Sequence, residues 1–315
     1  MGLALVYPGQ GAQSVGMGTE LAQQYPSARR ILDEADQILG FSLSDIIAHG
    51  PDDELTRTDI SQPAILVMSW MAHTVLTETV EPLQFDCTAG LSLGEYTALI
   101  AAGALDFENA LRLVRVRGEA MQAASEARAG GMVALIGADE ASANSFCDAV
   151  RQGDEVLQVA NLNSAGQVVI AGDQAACDRA VDAAKEHGIR RAMPLKVAGA
   201  FHTAHMAPAA ERLGEALAFT PFSNARVPVY ANATAEAVTE AATIRELLIR
   251  QLTEPVRFAA SVEAMHATGI TTFWELGPGK TLGGMISRTV KDVSCANVAT
   301  PEDALALALA KRAND

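Results

Sequence analysis

Residues 86–99 read D-C-T-A-G-L-S-L-G-E-Y-T-A-L. One serine, Ser92, lies between two leucines and two glycines, with apolar sequence on either side. Residues 85–89 are short, partly apolar and bounded by glycine, which predicts a strand. From Leu93 to about Ala102 the spacing predicts a helix. G-x-S-x-G between a strand and a helix is the nucleophile-elbow pattern. Its serine occupies a sharp, strained turn that lifts the hydroxyl above the sheet. Gly90 and Gly94 let neighbouring backbone pass without a Cβ collision. The helix that follows at once aims its free N–H groups and positive dipole end at the same point. The Leu93 N–H is therefore placed to stabilise an oxyanion. An ordinary helix-capping serine is the plainer alternative; the strand-before, helix-after context favours the nucleophile.

The rest of the chain bounds what such a serine can serve. There are 315 residues, 49% hydrophobic and 19% charged, enough for a well-buried core and too apolar for global disorder. A net charge of −15 argues against nucleic acid or an anionic membrane as a partner. No apolar run reaches the roughly 18 residues of a spanning helix. The start, M-G-L-A-L-V-Y-P, has no basic leader region and reads as a first strand. Cys87, Cys147, Cys177 and Cys295 show no C-x-x-C spacing. That disfavours a zinc site or a disulfide framework and fits a reducing compartment, here read as the cytoplasm; each cysteine is expected to be a small buried apolar residue.

Along the chain, residues 3–7 predict a strand running into the turn P-G-Q-G-A-Q. Helical patterns continue to about residue 39. The stretch after Pro63 predicts a buried helix, and residues 106–124 predict another with Asp106 as N-cap. The middle changes character. Strands are predicted at 132–136, 155–160, 167–171 and 190–195, with helices at 140–150 and 174–187. That order, β-α-β-β-α-β, is the ferredoxin-like pattern. Later come a strand near 227–230, a strand–turn–helix at T-T-F-W-E-L-G-P-G-K, and a terminal helix at 303–310. The fold expectation is α/β: a large α/β-hydrolase-like domain with a parallel sheet and the elbow (1–127 and 198–315). A small ferredoxin-like α+β domain (128–197) is inserted in it.

A serine nucleophile needs a base. Of six histidines, His187 and His266 sit at predicted helix ends, where a cation suits the dipole. His202 and His205, in G-A-F-H-T-A-H-M, follow the inserted domain and could face a cleft. The helix carrying R-L-V-R-V-R-G-E-A-M poses a second problem. Ala110, Leu113, Val114 and Met121 make its apolar stripe, and Arg117 falls inside that stripe. A buried guanidinium cannot be neutralised. It pairs with an internal carboxylate, which the helical wheel favours, or it waits for an anionic ligand, which its place directly after the elbow helix favours. Its planar fork suits a carboxylate.

Several motifs, in order, carry a resemblance: Y-P-G-Q-G-A-Q, G-L-S-L-G-E-Y-T-A-L, R-V-R-G-E-A-M-Q, N-L-N-S-A-G-Q-V-V-I-A-G, G-A-F-H-T-A-H-M, Q-L-T-E-P-V-R-F and E-L-G-P-G-K. Over nearly its whole length the chain resembles the malonyl-CoA:acyl carrier protein transacylases of type II fatty acid synthesis. The resemblance implies Ser92 as nucleophile and His202 as base. It also implies an oxyanion hole of the Gln10 and Leu93 N–H groups, and Arg117, with Gln10, as holder of the malonyl group. A backbone carbonyl, here that of Gln251, would orient the histidine, so no triad aspartate is expected. Asn161 and Asn163 would lie near the cleft. Two positions depart from the pattern. Leu91 stands where many members have histidine, and His205 stands where an apolar residue is usual and is expected to be a bystander.

The expected reaction is a ping-pong acyl transfer from malonyl-CoA to the phosphopantetheine of acyl carrier protein. It needs no metal or other cofactor, and an imidazole near pKa ~6.5 suits the base. The expected assembly is a monomer. Acyl carrier protein is acidic, so Arg190, Arg191 and Lys196 on the small domain are the candidate docking patch. The alternatives are another CoA-linked acyl unit such as methylmalonyl, a polyketide pathway, a serine thioesterase or hydrolase, or a non-catalytic protein that kept the fold.

Overall fold

The computed structural model describes residues 2–314; the outermost residue at each end of the expected large domain lies outside them. The chain begins with β1 (Gly2–Tyr7), α1 (Thr19–Gln24), α2 (Pro26–Leu39), α3 (Leu43–His49), α4 (Asp52–Thr56) and α5 (Thr58–Thr79). The elbow segment follows as β2 (Cys87–Gly90), α6 (Gly94–Ala101) and α7 (Phe107–Ala127). Next come β3 (Gly130–Ile136), α8 (Glu140–Val150), β4 (Leu157–Ser164), β5 (Gln167–Asp173), α9 (Gln174–Ala183) and β6 (Arg191–Pro194). A 3₁₀ turn (Ala204–Met206) leads into α10 (Ala207–Phe219), β7 (Val229–Tyr230), β8 (Ala237–Val238), α11 (Ala241–Arg250) and α12 (Phe258–Ala267). The chain closes with β9 (Ile270–Leu276), α13 (Thr281–Thr289), β10 (Ser294–Val298) and α14 (Pro301–Asn314).

The larger sheet has the strand order β10-β9-β1-β2-β7-β8. β1 sits inside it, parallel to both neighbours, with Tyr7 opposite Gly90. Its residues Ala4 to Tyr7 are fully buried, the continuous apolar run expected of a parallel strand covered on both faces. The sheet is mixed rather than all-parallel, because β8 pairs antiparallel with β7. The link between them is a tight turn closed by Ala235 N–H to Ala231 O and Ala231 N–H to Glu236 O, far too short for the crossover that a parallel pair needs.

α5 starts five residues before Pro63, and so is longer than its sequence suggested. A proline there leaves the Asp59 carbonyl without its helical partner. The Arg115 guanidinium from α7 donates to that carbonyl at 3.0 Å, so the helix continues through the proline. Asp106 caps α7 as expected, accepting from the Asn109 N–H at 2.7 Å.

The second sheet is antiparallel with order β4-β5-β3-β6. Val133, Leu135, Phe146, Leu157, Ile170 and Ala180 share a core beneath α8 and α9. β4 runs four residues past the expected end and shifts register on the way, which puts Asn161 and Asn163 on a strand. Its edge is bound to the rest of the molecule by Val256, whose N–H reaches Ala160 O at 2.9 Å and whose carbonyl takes the Leu162 N–H at 2.8 Å. α9 ends at Ala183 rather than at His187, and the last 4 residues before Gly188 are turns. Cys87, Cys147 and Cys177 are buried free thiols; Cys295 is exposed, contrary to expectation, because β10 is the edge strand.

Two glycines test this packing in opposite directions. A Cβ on Gly94 would lie 2.2 Å from the Tyr7 carbonyl oxygen. On Gly214, within α10, its nearest neighbour would be Ile249 at an ordinary 3.5 Å. Gly94→Ala is expected to destabilise by ~2 kcal/mol or more, and Gly214→Ala to stabilise by about 0.5–1 kcal/mol. Urea unfolding of both variants checks the signs.

Candidate active site

The elbow forms where β2 ends against β1. Leu91 N–H donates to Tyr7 O at 3.0 Å, and the chain then reverses into α6. A Cβ on Gly90 would sit 1.9 Å from the Gly94 carbonyl carbon, so both glycines of the motif are sterically required. Ser92 itself has φ 53°, a left-handed conformation that costs a non-glycine residue of order 1 kcal/mol or more. Asn232, just after β7, holds it there. Its Oδ1 accepts the Ser92 N–H at 2.7 Å, and its Nδ2 donates to Gly90 O at 2.7 Å.

Ser92 Oγ lies 2.8 Å from His202 Nε2, and His202 Nδ1 lies 2.7 Å from the Gln251 carbonyl oxygen. A carbonyl only accepts, so Nδ1 carries the proton and Nε2 presents its lone pair to the serine. His202 is also left-handed, at φ 58°, and is buried. Burial first, then the nearby Arg117 charge, pushes its pKa down to about 3, well below the ordinary value near 6.5 that its sequence suggested. The imidazole is neutral at physiological pH, with its Nε2 lone pair facing the serine hydroxyl.

Arg117 projects from the middle of α7 and is 1% exposed. Its Nη1 donates to Gln62 Oε1 at 2.6 Å; its Nη2 donates to Ser92 Oγ and to Gln251 Oε1, both at 2.9 Å. Its guanidinium carbon lies 5.8 Å from the Tyr96 ring centroid. Among the described residues no carboxylate forms an ion pair with it. The internal carboxylate favoured by the helical wheel is absent at contact distance; neutral amide oxygens take its place. Glu95 stands one residue further back, behind Gln251.

A cleft of about 230 Å³ between the two sheet-bearing units opens onto Ser92 and His202. Gln10, Leu91, Asn161, Asn163, Met121 and Met285 line it. Gln10 lies on the loop after β1, with its side chain donating to Thr58 Oγ1 at 3.3 Å. Leu93 follows the serine as the first helical residue before α6. Lys196 is at the cleft wall, whereas Arg190 and Arg191 are exposed away from its lining. His205 points elsewhere: its Nε2 lies 3.2 Å from Asp173 Oδ1, where Asp173 also takes a bidentate contact from Arg128. It belongs to the junction of the two units. Three site residues escaped sequence reading. Gln62 and Asn232 are neutral amides with no motif logic of their own, and Glu95 was visible only as a letter inside the elbow motif.

Residues 4–306 match the acyl transferase domain family. The chain belongs to the acyl transferase family. This acyl transferase is 44% identical to the malonyl CoA-acyl carrier protein transacylase of Bacillus subtilis (strain 168), across 99% of the chain and 98% of that relative. It is 42% identical to the enzyme so named from Escherichia coli (strain K12), across 97% and 98%. Among solved structures it is similar to the malonyl CoA-acyl carrier protein transacylase of Coxiella burnetii, with a TM-score of 0.94, 37% identity and coverage of 98% and 97%. It is equally similar, at TM-score 0.94, 39% identity and coverage of 99% and 100%, to a malonyl-transacylase in complex with its type II PKS acyl-carrier protein.

The lowered pKa of His202 has a testable sign. Between about pH 3 and 6.5 the unfolded chain binds a proton at this histidine that the folded acyl transferase does not, so stability falls as pH drops through that window. The free enzyme keeps its base form throughout. The rate of Ser92 acylation by a neutral activated ester is expected to show no break near pH 6.5 from His202. Because burial also lifts the nearby Glu95 carboxyl to about 7, the profile is repeated in Glu95→Gln, and a break that persists there refutes the assignment.

Proposed function

We propose that this acyl transferase moves the malonyl group of malonyl-CoA to the phosphopantetheine thiol of acyl carrier protein, through a malonyl ester on Ser92. The observation that carries this reading is Arg117: a buried guanidinium with no carboxylate in contact, one of whose nitrogens reaches the reactive hydroxyl. Unpaired, it costs energy against an uncharged acyl chain; a dicarboxylic acyl unit supplies the missing anion bidentately. The names of the relatives point the same way.

In the first half-reaction His202 Nε2 takes the Ser92 proton as Oγ attacks the thioester carbon. The Gln10 and Leu93 N–H groups receive the oxyanion, each such donor being worth roughly 3 kcal/mol. The carbon–sulfur bond breaks, and His202 returns its proton to the CoA thiolate. In the second half-reaction His202 deprotonates the carrier's thiol, sulfur attacks the ester, and Ser92 Oγ leaves with the proton. Atoms and charge balance without a metal or redox cofactor. The free carboxylate of the malonyl group neutralises Arg117 when bound, which removes the lesser of the two influences that depress His202, so the base strengthens when it is needed. The 230 Å³ cleft suits a short acyl unit.

The finer architectural reading is that residues 1–127 and 198–315 form an α/β-hydrolase-like catalytic unit, with a ferredoxin-like unit over 128–197 as the cleft's second wall. The antiparallel order β4-β5-β3-β6 supports the latter. Exposed Arg190, Arg191 and Lys196 serve as a steering patch for an acidic carrier protein, and the enzyme works as a cytoplasmic monomer. Among the described residues no helix is long and apolar enough to cross a membrane. Leu91, in the cleft wall, offers no polar group to the acyl unit. Methylmalonyl is the second reading, since one methyl is worth only about 1–3 kcal/mol of discrimination.

Intact mass after mixing with malonyl-CoA is expected to show a malonyl adduct on the wild type and none on Ser92→Ala. Carrier protein should discharge it; loss to water alone would instead indicate a thioesterase. Arg117→Ala is expected to cut malonylation at least ~10²-fold, in line with loss of a charged anchor. Reversing charge at Arg190 and Arg191 together is expected to raise KM for carrier protein several-fold and leave KM for malonyl-CoA unchanged. Equal effects on both substrates would remove the patch from the reading.

A further inference from the structure

Glu95 is a buried carboxyl that no step of the transfer uses. It lies in the first turn of α6, three residues after the nucleophile, and is 3% exposed. Its Oε2 accepts two hydrogen bonds, from the Asn232 backbone N–H at 3.0 Å and from Gln251 Nε2 at 2.8 Å. Gln251 Nε2 also donates to the Ser92 carbonyl oxygen at 3.0 Å, and Gln251 Oε1 faces Arg117 Nη2 at 2.9 Å. Gln251 is itself fully buried, and its main-chain carbonyl holds His202.

A primary amide has two orientations that differ only in which end donates. Here every neighbour votes for one. Rotating the Gln251 amide by 180° would set its NH₂ against the Arg117 NH₂ and its oxygen against both Glu95 Oε2 and the Ser92 carbonyl. Donor would meet donor, and acceptor would meet acceptor. Asn232 Oδ1 also faces the same nitrogen, at a long 3.4 Å; of the three acceptors Glu95 Oε2 is the nearest, at 2.8 Å, and the one that can bear charge. Burial pushes the Glu95 pKa up to about 7, yet a proton on its other oxygen leaves Oε2 an acceptor towards both N–H groups. We infer that Glu95 is a positioning residue: acting through the Gln251 side-chain amide, it fixes an acceptor against Arg117 and thereby sets the preference for acyl groups that carry a carboxylate.

The inference rests on the proposed malonyl transfer, and the test separates the two. Purified full-length protein is acylated in single turnover with malonyl-CoA and, separately, with p-nitrophenyl acetate, whose acyl group has no carboxylate for Arg117 to hold. Ser92 acylation is followed by intact mass. Glu95→Met keeps the volume and loses the acceptor. It is expected to slow malonylation at least 30-fold while acetylation stays within threefold of wild type. Glu95→Gln keeps an oxygen facing the same two N–H groups and is expected to hold the malonyl-to-acetyl ratio within threefold of wild type. Equal slowing of both acylations in Glu95→Met, as a purely structural role requires, overturns the inference. Should that variant not fold, Glu95→Asp decides: it keeps the charge and withdraws the acceptor by one methylene. A ratio lowered fivefold or more supports the inference, and an unchanged ratio overturns it. A wild type that takes acetyl but never malonyl overturns the transfer reading itself, and this inference with it.

Discussion

The constraint on which the site depends is a guanidinium kept out of water with no anion in contact among the described residues. Stripping a cation of solvent costs several kcal/mol even after relaxation, and Arg117 recovers part of that through three hydrogen bonds and the face of Tyr96. Its partners come from remote parts of the chain: Gln62 on α5, Ser92 at the elbow and Gln251 after α11. None can move far without leaving a donor unpaired. The long α5 must therefore run true through Pro63, and Arg115, on the same helix as Arg117, takes the carbonyl that the proline frees. One helix thus supplies both the charge and a donor for the carbonyl that its neighbour's proline leaves free.

Both reactive residues are held in backbone conformations that L-residues avoid. Ser92 and His202 each have φ between 50° and 60°. Such strain persists only where surrounding bonds over-determine it. Asn232 secures the elbow with both ends of its amide, at the Ser92 N–H and the Gly90 carbonyl, and the Gln251 carbonyl secures the histidine. Gln251 also touches Arg117, Glu95 and the serine carbonyl. Arg117, His202 and Ser92 are then parts of one hydrogen-bonded body, which on the proposed reading is the preorganisation an oxyanion-forming reaction requires.

What was legible in the sequence followed from steric and periodic constraints. Gly90 and Gly94 announce the elbow because a Cβ at either would collide with backbone. Arg117 stands out because a cation breaks an apolar stripe. Asp106 is readable because capping is local. The failures also have causes. The helical wheel weighs Arg117 only against its own helix, so it favoured an internal carboxylate and could not see that two glutamines from other elements meet the guanidinium. Burial depends on the whole fold, so the shift of His202 from the ordinary value near 6.5 to about 3 was out of reach. β8 turns the sheet mixed through two residues, below the length at which periodicity carries information.

The same burial that depresses His202 makes the site responsive to charge. A neutral imidazole beside a fixed cation is a weak base, and a weak base is a poor proton acceptor for a serine hydroxyl. Arg117 also donates to Ser92 Oγ, which occupies the oxygen that must attack. An arriving carboxylate competes for that same guanidinium. On the proposed reading, as it takes Nη2 it frees the serine oxygen and cancels the lesser of the two influences that hold His202 down, burial being the larger. An acyl group without a carboxylate does neither. On the proposed reading, selection for a dicarboxylic acyl unit then acts on reactivity as well as on binding. Glu95 keeps the geometry in which this exchange is possible, since an amide turned the wrong way would repel the guanidinium from the very position in which it meets both serine and substrate.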